Sequence, residues 1–443
     1  MTEGGLGSHI VLLTGATGFV GKVVLEELMR RRGELGIARV LALVRASDTA
    51  HAAARLEGDV IGSACFDAHE PGWEKSVEAL AGDLTRPGLG LDPGARERVA
   101  REVTHVIHCA ASVEFNLPLA EATAVNTGGA LEALAIAREC RRLAGFVDVS
   151  TAYVTAHPNA RSGAVLRAPE RLAPLPRDAA SLYADILASR VWQEKLLRET
   201  GHPNTYTLTK CIAEHLLARR GEGLPITLLR PSIVSASERT PTPGWVDSAA
   251  AFAGFVAALG SGRLRVVAGD LRARLDVVPC DAVAHRIVEA AFAPPPRGAL
   301  CIRHAVAGLA GALPIQLCRE RITSYFAANP VRGPGVGIRY VGAPGPGFAL
   351  AHALHHELPA ARDALRATLA RKPTLAKAAR QLAERQRSIN RDFTYFTHAT
   401  FDFETSVPLD PPLDPAKYLD VVCEGVSRNL LRRERRRERA KAS

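Results

Sequence analysis

Three glycines spaced three residues apart, Gly15, Gly18 and Gly21, constrain this chain more than any other feature. They follow a short apolar run at 9–13 and lead into a helical pattern at 22–32. Strand, glycine turn and helix in that order leave backbone N–H groups unpaired at the helix start, where the helix dipole adds partial positive charge. A pyrophosphate reaches such a turn only if no side chain intervenes, and glycine supplies that clearance. Thr14, Gly15, Thr17, Gly18, Phe19, Val20 and Gly21 are therefore the first candidates for contact with a dinucleotide cofactor.

Apolar runs recur at 40–44, 77–81, 103–109, 145–150 and 226–230, with amphipathic helical segments between most of them. Strands alternating with helices predict an α/β fold, a doubly wound parallel sheet covered on both faces. Two stretches break the rhythm. Residues 155–204 contain one helical piece at 179–199, and residues 232–275 contain Pro241, Pro243, Gly244 and a small-residue helix after Trp245. Loops of this length in a compact domain usually have a task such as covering a substrate. A last helix–strand–helix stretch at 281–309 closes the unit. Beyond a glycine- and proline-rich crossing at 331–347, two helices are expected over 348–387, then an aromatic patch with Phe393, Tyr395, Phe396, Phe401 and Phe403. The expected division is a cofactor-binding domain at 1–310, carrying substrate-binding insertions at 155–204 and 232–275. A mainly helical domain at 311–443 would complete the substrate site and end in a basic tail.

The second strand ends in Arg45, with Ser47 just beyond. A carboxylate there would bind the adenosine ribose hydroxyls and repel a 2′-phosphate, whereas a guanidinium attracts it, so NADPH is the expected cofactor. Tyr206 and Lys210 stand four apart on a predicted helix and share one face, so that phenol and ammonium can address the same bound molecule. A free phenol titrates near pH ~10, and a neighbouring ammonium is expected to lower that value and make Tyr206 a usable acid. A hydroxyl that polarises a carbonyl is expected from Ser150-Thr151 at the end of an intervening strand. Only one of the two can face the cleft, because neighbours on a strand alternate.

The G-x-x-G-x-x-G spacing resembles the short-chain dehydrogenase superfamily. That resemblance assigns Asp83 and Leu84 to the adenine ring, and Ala110 and Ala111 to the floor under the nicotinamide ribose. It also favours Thr151 over Ser150. A narrower likeness rests on Leu229-Arg230-Pro231-Ser232-Ile233-Val234, on Pro243-Gly244-Trp245-Val246-Asp247, and on Asp276-Val277-Val278-Pro279-Cys280-Asp281. With Pro203-Asn204-Thr205-Tyr206 and the aromatic segment 393–403, these are similar to the male-sterility-type fatty acyl-CoA reductases, over nearly the whole chain. The resemblance implies a Rossmann-type fold and NADPH-dependent reduction of a long-chain acyl-CoA to aldehyde or alcohol. Thr151, Tyr206 and Lys210 would be the catalytic residues, with Pro231 and Ile233 at the cofactor. Two other readings keep the fold: an extended short-chain dehydrogenase acting on a sugar nucleotide or secondary alcohol, and a cofactor-binding regulatory protein without turnover. The insertions and the large C-terminal unit oppose the first, and the intact hydroxyl, phenol and amine oppose the second.

Composition excludes further classes. The eight cysteines show no C-x-x-C pair or zinc-like spacing and read as free thiols. No secretory signal is expected at the start, and no apolar window approaches the ~18–20 residues of a membrane span. The longest candidate, 249–259, is too short to cross, and it reads either as an acyl-channel lining or as core. Many eukaryotic members of the family end in a hydrophobic segment. This chain instead ends with seven basic residues and two glutamates over 432–441, so membrane contact is expected to be peripheral at most, through that tail. No stacking aromatics accompany the tail, so no nucleic acid is expected, and the setting is read as cytoplasmic. His352, His355 and His356 with Glu357 read as an exposed helix face, and no metal is expected.

Overall fold

A computed structural model describes residues 8–158, 160–331 and 337–432. The basic tail past residue 432, and part of the glycine- and proline-rich crossing, lie outside the described residues. Seven parallel strands form the main sheet: β1 (His9–Thr14), β2 (Ile37–Arg45), β3 (Val77–Gly82), β4 (His105–His108), β5 (Gly145–Val149), β6 (Ile226–Pro231) and β7 (Leu300–Ala305). Their spatial order is β3-β2-β1-β4-β5-β6-β7. Such strands, buried on both faces, are apolar almost throughout, which explains why they read as runs and not as alternations.

Helix α1 (Phe19–Arg30) and helix α3 (Cys280–Phe292) cover one face of the sheet, while α2 (Thr205–Arg220) and the helix Gly129–Glu139 cover the other. The strand order reverses between β1 and β4, which opens a crevice at the carboxyl ends of those strands. The glycine turn sits at its mouth. Gly15 has φ +79°, and a Cβ there would lie 2.8 Å from the Ala110 nitrogen; one on Gly21 would lie 2.0 Å from the Gly15 carbonyl oxygen. Turn, helix and β4 loop approach one another too closely for any other residue.

The two insertions and the C-terminal residues build one shared apolar core, in which Tyr153, Phe252 and Leu275 pack with Ile315, Phe326, Phe401 and Tyr418. The strand Val165–Ala168 pairs with Thr400–Phe403, and Val266–Ala268 pairs with Tyr340–Gly342, so strands from beyond residue 337 complete edges begun in the insertions. The segment 249–259 forms the helix Ala251–Gly260, whose Phe252, Phe255, Val256 and Leu259 are buried in that core. The helical piece expected at 179–199 is two helices, Ala179–Leu187 and Gln193–Thr200, parted where Ser189 adopts φ +54°.

The histidine reading is corrected. His352 and His356 are buried, because the helix turns them inward: the His356 Nε2 accepts from the backbone nitrogens of Arg265 and Val266, each at 3.2 Å. No metal-binding cluster occurs among the described residues, and none of their helices is long and apolar enough to cross a membrane.

A buried ion pair ties these layers together. Glu214 on α2 receives the Arg230 guanidinium of β6 in two bonds, at 2.8 and 2.5 Å, and both side chains are fully buried. Two further guanidinium donors reach the carbonyls of Pro169 and Arg171, and the Ser150 hydroxyl donates to the same carboxylate at 2.5 Å. Helix, two strand ends and the first insertion thus meet at one ion pair. Removing one partner of a buried pair leaves the other charge uncompensated. Glu214→Ala is expected to cost about 3–5 kcal/mol in urea unfolding, and a loss below about 1 kcal/mol would show that the pair does not brace the fold.

Candidate active site

Helix α2 carries the phenol and the amine. Asn204 caps it by accepting from the Thr207 nitrogen at 3.0 Å, and Gly221 ends it after Arg219 and Arg220. Its threonines are weak helix formers, but each buried hydroxyl has a partner that positions the site. Thr205 donates to the carbonyls of Phe115 and Leu117, and Thr209 accepts from Asn126, whose side chain also holds both the nitrogen and the carbonyl of Ser112. The loop after β4 is thereby fastened across the start of α2, and Phe115 comes to lie beside Tyr206, ring centroids 6.2 Å apart.

The Ser150–Thr151 choice follows from the packing. Ser150 is committed to Glu214, while the Thr151 hydroxyl accepts from the Tyr153 nitrogen and lies close enough to the Tyr206 phenol to lower its pKa. Lys210 is almost fully buried and donates to the Val149 carbonyl at 2.7 Å. Hydroxyl, phenol and amine therefore converge at the carboxyl end of β5, next to the crevice.

The expected lowering of the Tyr206 pKa is corrected. Burial first, then the Asp148 charge, push the phenol well above its ordinary value, and only the nearby Thr151 hydroxyl opposes them. The ammonium is turned toward the strand carbonyl. Tyr206 is accordingly a protonated phenol at neutral pH, suited to giving a proton to a strong base.

Beneath the trio lies a polar layer that the sequence did not suggest. Asp148 faces His108 in register across β5 and β4, both are wholly buried, and neither Asp148 oxygen nor the His108 Nε2 has a hydrogen-bond partner among the described residues. Burial pushes the Asp148 carboxyl up to about 6, although Lys210 pulls it down. Burial, helped by Lys210, pushes His108 down to about 3, so this imidazole is neutral.

A dinucleotide fits what is present. Helix α1 begins at Gly18 with no side-chain cap and no acidic residue in its first turn, which leaves its N–H groups free for a pyrophosphate. Thr14 faces inward, and its hydroxyl lies 2.9 Å from the His108 Nδ1 and accepts from the Ala110 nitrogen, so it braces the turn from behind. Phe19 stacks on Trp245, and Lys22 pairs with Asp247 at 2.6 Å, which seats the segment 243–247 against the same helix start. Thr17, Val20, Ala111 and Ile233 are partly exposed near the turn and strand ends, whereas Pro231 is buried.

At the far end of the crevice a groove between the ends of β2 and β3 is lined by Arg45, Ser47, His51, Arg55, Asp83 and Arg86. Arg55 and Arg86 were not foreseen, since neither lies in a motif. Burial pushes the Asp83 carboxyl up, but bonds from Thr85 and the nearby arginines outweigh it and keep the group ionised. Asp48 caps the helix Thr49–Leu56 through the His51 nitrogen and takes the Ser47 hydroxyl, so its charge is engaged locally. Leu84 is half-buried against Gly129.

Sheet order, glycine turn and the Thr151–Tyr206–Lys210 trio together define an NAD(P)-binding protein of the extended short-chain dehydrogenase type. A family model described as "Male sterility protein" matches residues 13–287, and the chain belongs to that family. It is 33% identical over 291 residues to "Fatty acyl-CoA reductase wat" of Drosophila melanogaster and 34% identical over 285 residues to "Fatty acyl-CoA reductase 1" of Gallus gallus. Each match takes in 64% of this chain and 54% of the relative, so the chain spans about half the length of these curated relatives. The "Probable fatty acyl-CoA reductase 5" of Arabidopsis thaliana is 28% identical over 363 residues, 74% of this chain and 72% of that protein. Among solved structures, the terminal R domain of the myxalamid PKS-NRPS pathway aligns with a TM-score of 0.64 at 21% identity, over 98% of this chain and 92% of that one. A UDP-glucose 4-epimerase from Thermotoga maritima aligns with a TM-score of 0.53 at 14% identity, over 95% and 99%. These two likenesses show the fold.

The buried Asp148 yields a pH test. Its carboxyl titrates at about 6 in the folded protein and at its ordinary 3.8 once unfolded. A raised value means that the folded state is favoured at low pH, fully so below about 4, and that this contribution is lost as pH rises through 6. Asp148→Asn should remove the loss, so that stability relative to wild type moves in the variant's favour by about 1–3 kcal/mol between pH 4 and 8. Parallel stability curves, measured by thermal unfolding across that range, would show that no buried carboxylate titrates there.

Proposed function

We propose that this protein is an NADPH-dependent reductase of long-chain fatty acyl-CoA thioesters, yielding fatty aldehyde or fatty alcohol with release of CoA. The observation that carries the reading is the meeting of the Thr151 hydroxyl with the protonated Tyr206 phenol, one helical turn from Lys210, beside the crevice that the glycine turn opens. The names of the curated relatives support the substrate class. Three arginines in the groove at the ends of β2 and β3 support NADPH over NADH.

When bound, NADPH supplies a hydride to the thioester carbonyl carbon. Thr151 donates a hydrogen bond to the carbonyl oxygen as negative charge grows there. Collapse of the tetrahedral species breaks the C–S bond, and the CoA thiolate leaves with the electron pair. If the aldehyde stays bound while the spent cofactor is exchanged for a second NADPH, a second reduction would leave an alkoxide oxygen that the Tyr206 phenol protonates. Lys210 has two ammonium donors left beyond its bond to the Val149 carbonyl, and these would hold the nicotinamide ribose hydroxyls. Phe115 lies beside the phenol and stacks on Phe396, which in turn packs edge-on against Tyr153, and this aromatic cluster suits an acyl chain more than a sugar.

Purified protein given NADPH and palmitoyl-CoA should lose nicotinamide absorbance and release free thiol together, and Tyr206→Phe should lower that turnover by about 100-fold or more with NADPH binding retained. Cofactor oxidation without thiol would redirect the reading to a simple carbonyl substrate. Wild-type turnover in the variant would remove the phenol from the mechanism. Arg45→Asp should shift the NADPH-to-NADH preference toward NADH by roughly ten-fold or more, as expected for a lost charge-assisted bond; an unchanged kcat/KM ratio would mean that the 2′-phosphate is read elsewhere.

A further inference from the structure

Of the twelve large apolar side chains that are exposed among the described residues, seven lie between 350 and 382. The helix Pro346–His352, a π turn at Ala353–Glu357 and helix α4 (Leu358–Leu369) follow one another without a break. A turn at Arg371, φ +57°, then leads into α5 (Pro373–Thr397). The inward side carries His352, His356, Ala364 and Ala367, all buried. The outward side carries Leu350, Leu354, Leu358, Leu365 and Leu369, each between 51% and 76% exposed. Steps of four, four, seven and four residues put these leucines on one stripe. Leu375, 56% exposed, continues it across the turn.

Charge is distributed to match. Residues 364–383 contain Arg366, Arg371, Lys372, Lys377 and Arg380 and no aspartate or glutamate. Nearer the base of the hairpin the cations are paired, Arg362 with Asp363, Arg387 with Glu357 and Arg391 with Asp392, while the five at the tip form no ion pair among the described residues. The base is fastened to the body: His356 holds two backbone nitrogens, Gln386 donates to the Arg263 carbonyl, and Asn390 bonds the Ala268 nitrogen and the Val266 carbonyl. The tip is closed only by small alanines packed between its own helices.

We infer that this hairpin tip docks on an anionic phospholipid bilayer, its leucines entering the acyl boundary and its unpaired cations meeting the headgroups. A second copy of the chain is a poorer occupant, because a two-fold contact through the same stripe would bring two sets of five unpaired cations together. Helix α5 joins the tip to the site. From Leu375 to Phe396, which packs on Tyr153, the helix rises about 31 Å. Docking would therefore hold the candidate active site at a fixed height above the lipid surface.

The test is co-sedimentation of the full chain with vesicles of phosphatidylcholine alone or mixed with phosphatidylglycerol, at low and high salt, with light scattering alongside. Wild type should pellet with the mixed vesicles, less so at high salt and little with the neutral ones. The combined variant Leu365→Asp, Leu369→Asp, Leu375→Asp and the pair Arg371→Glu, Lys372→Glu should each lose about ten-fold in partition. Unchanged circular dichroism and melting would show that both variants remain folded, as substitutions at exposed positions should. Undiminished binding in the leucine variant would assign lipid contact elsewhere on the chain and overturn the inference. Equal binding to neutral and anionic vesicles would overturn it too, as would no vesicle binding together with wild-type self-association that the leucine variant abolishes.

Discussion

One carboxylate organises the catalytic side of the molecule. Glu214 is paid for by Arg230, and between them they bind the helix that carries the phenol and amine, the strand ends on which the site sits, and the chain of the first insertion. Because both charges are fully buried, neither can leave without exposing the other to an apolar surround, so the geometry is held more by the cost of separation than by the strength of attraction. The same carboxylate withdraws Ser150 from chemistry and leaves Thr151 to face Tyr206. A structural pair thus decides which of two adjacent hydroxyls is available.

The sheet and the glycine turn were legible because their constraints are local. Buried parallel strands must be apolar runs, and Gly15 and Gly21 must lack side chains for reasons of a few ångströms. The trio was legible because helical spacing alone puts Tyr206 and Lys210 on one face. The state of the phenol was not. It depends on burial and on Asp148, which is far away in sequence and comes into position only through strand register. Asp148 itself gave no signal, since a lone acidic residue within an apolar run looks like an edge of a strand and not like its centre. Arg55 and Arg86 escaped for a similar reason: the groove that gathers them joins two loops that only the sheet brings together.

The C-terminal helices were legible as elements, but the face that carries the histidines was read as exposed when it is buried. Histidines are polar, and leucines usually face the core, so the pattern 350–369 suggests buried leucines and exposed imidazoles. The opposite holds, because His356 has a specific task in satisfying two strand nitrogens, while the leucines have no partner surface. Orientation of an amphipathic helix follows from what the rest of the fold offers to pack against it, and that is not written in the helix.

The elevated phenol is consistent with the reductive direction proposed. A dehydrogenase that takes a proton from an alcohol gains from a phenolate held ready at neutral pH, and hence from a lowered pKa. A site that finishes a reduction must instead supply a proton to an alkoxide, a far stronger base than any phenolate, and a half-buried, protonated tyrosine does so downhill. Burial raises the Tyr206 value, and the ionised form of Asp148 raises it further, so the unpaired carboxylate beneath the site acts in the sense that a proton donor requires. Its own burial cost is then a stability sacrificed at the site, which is where departures from good packing chemistry concentrate.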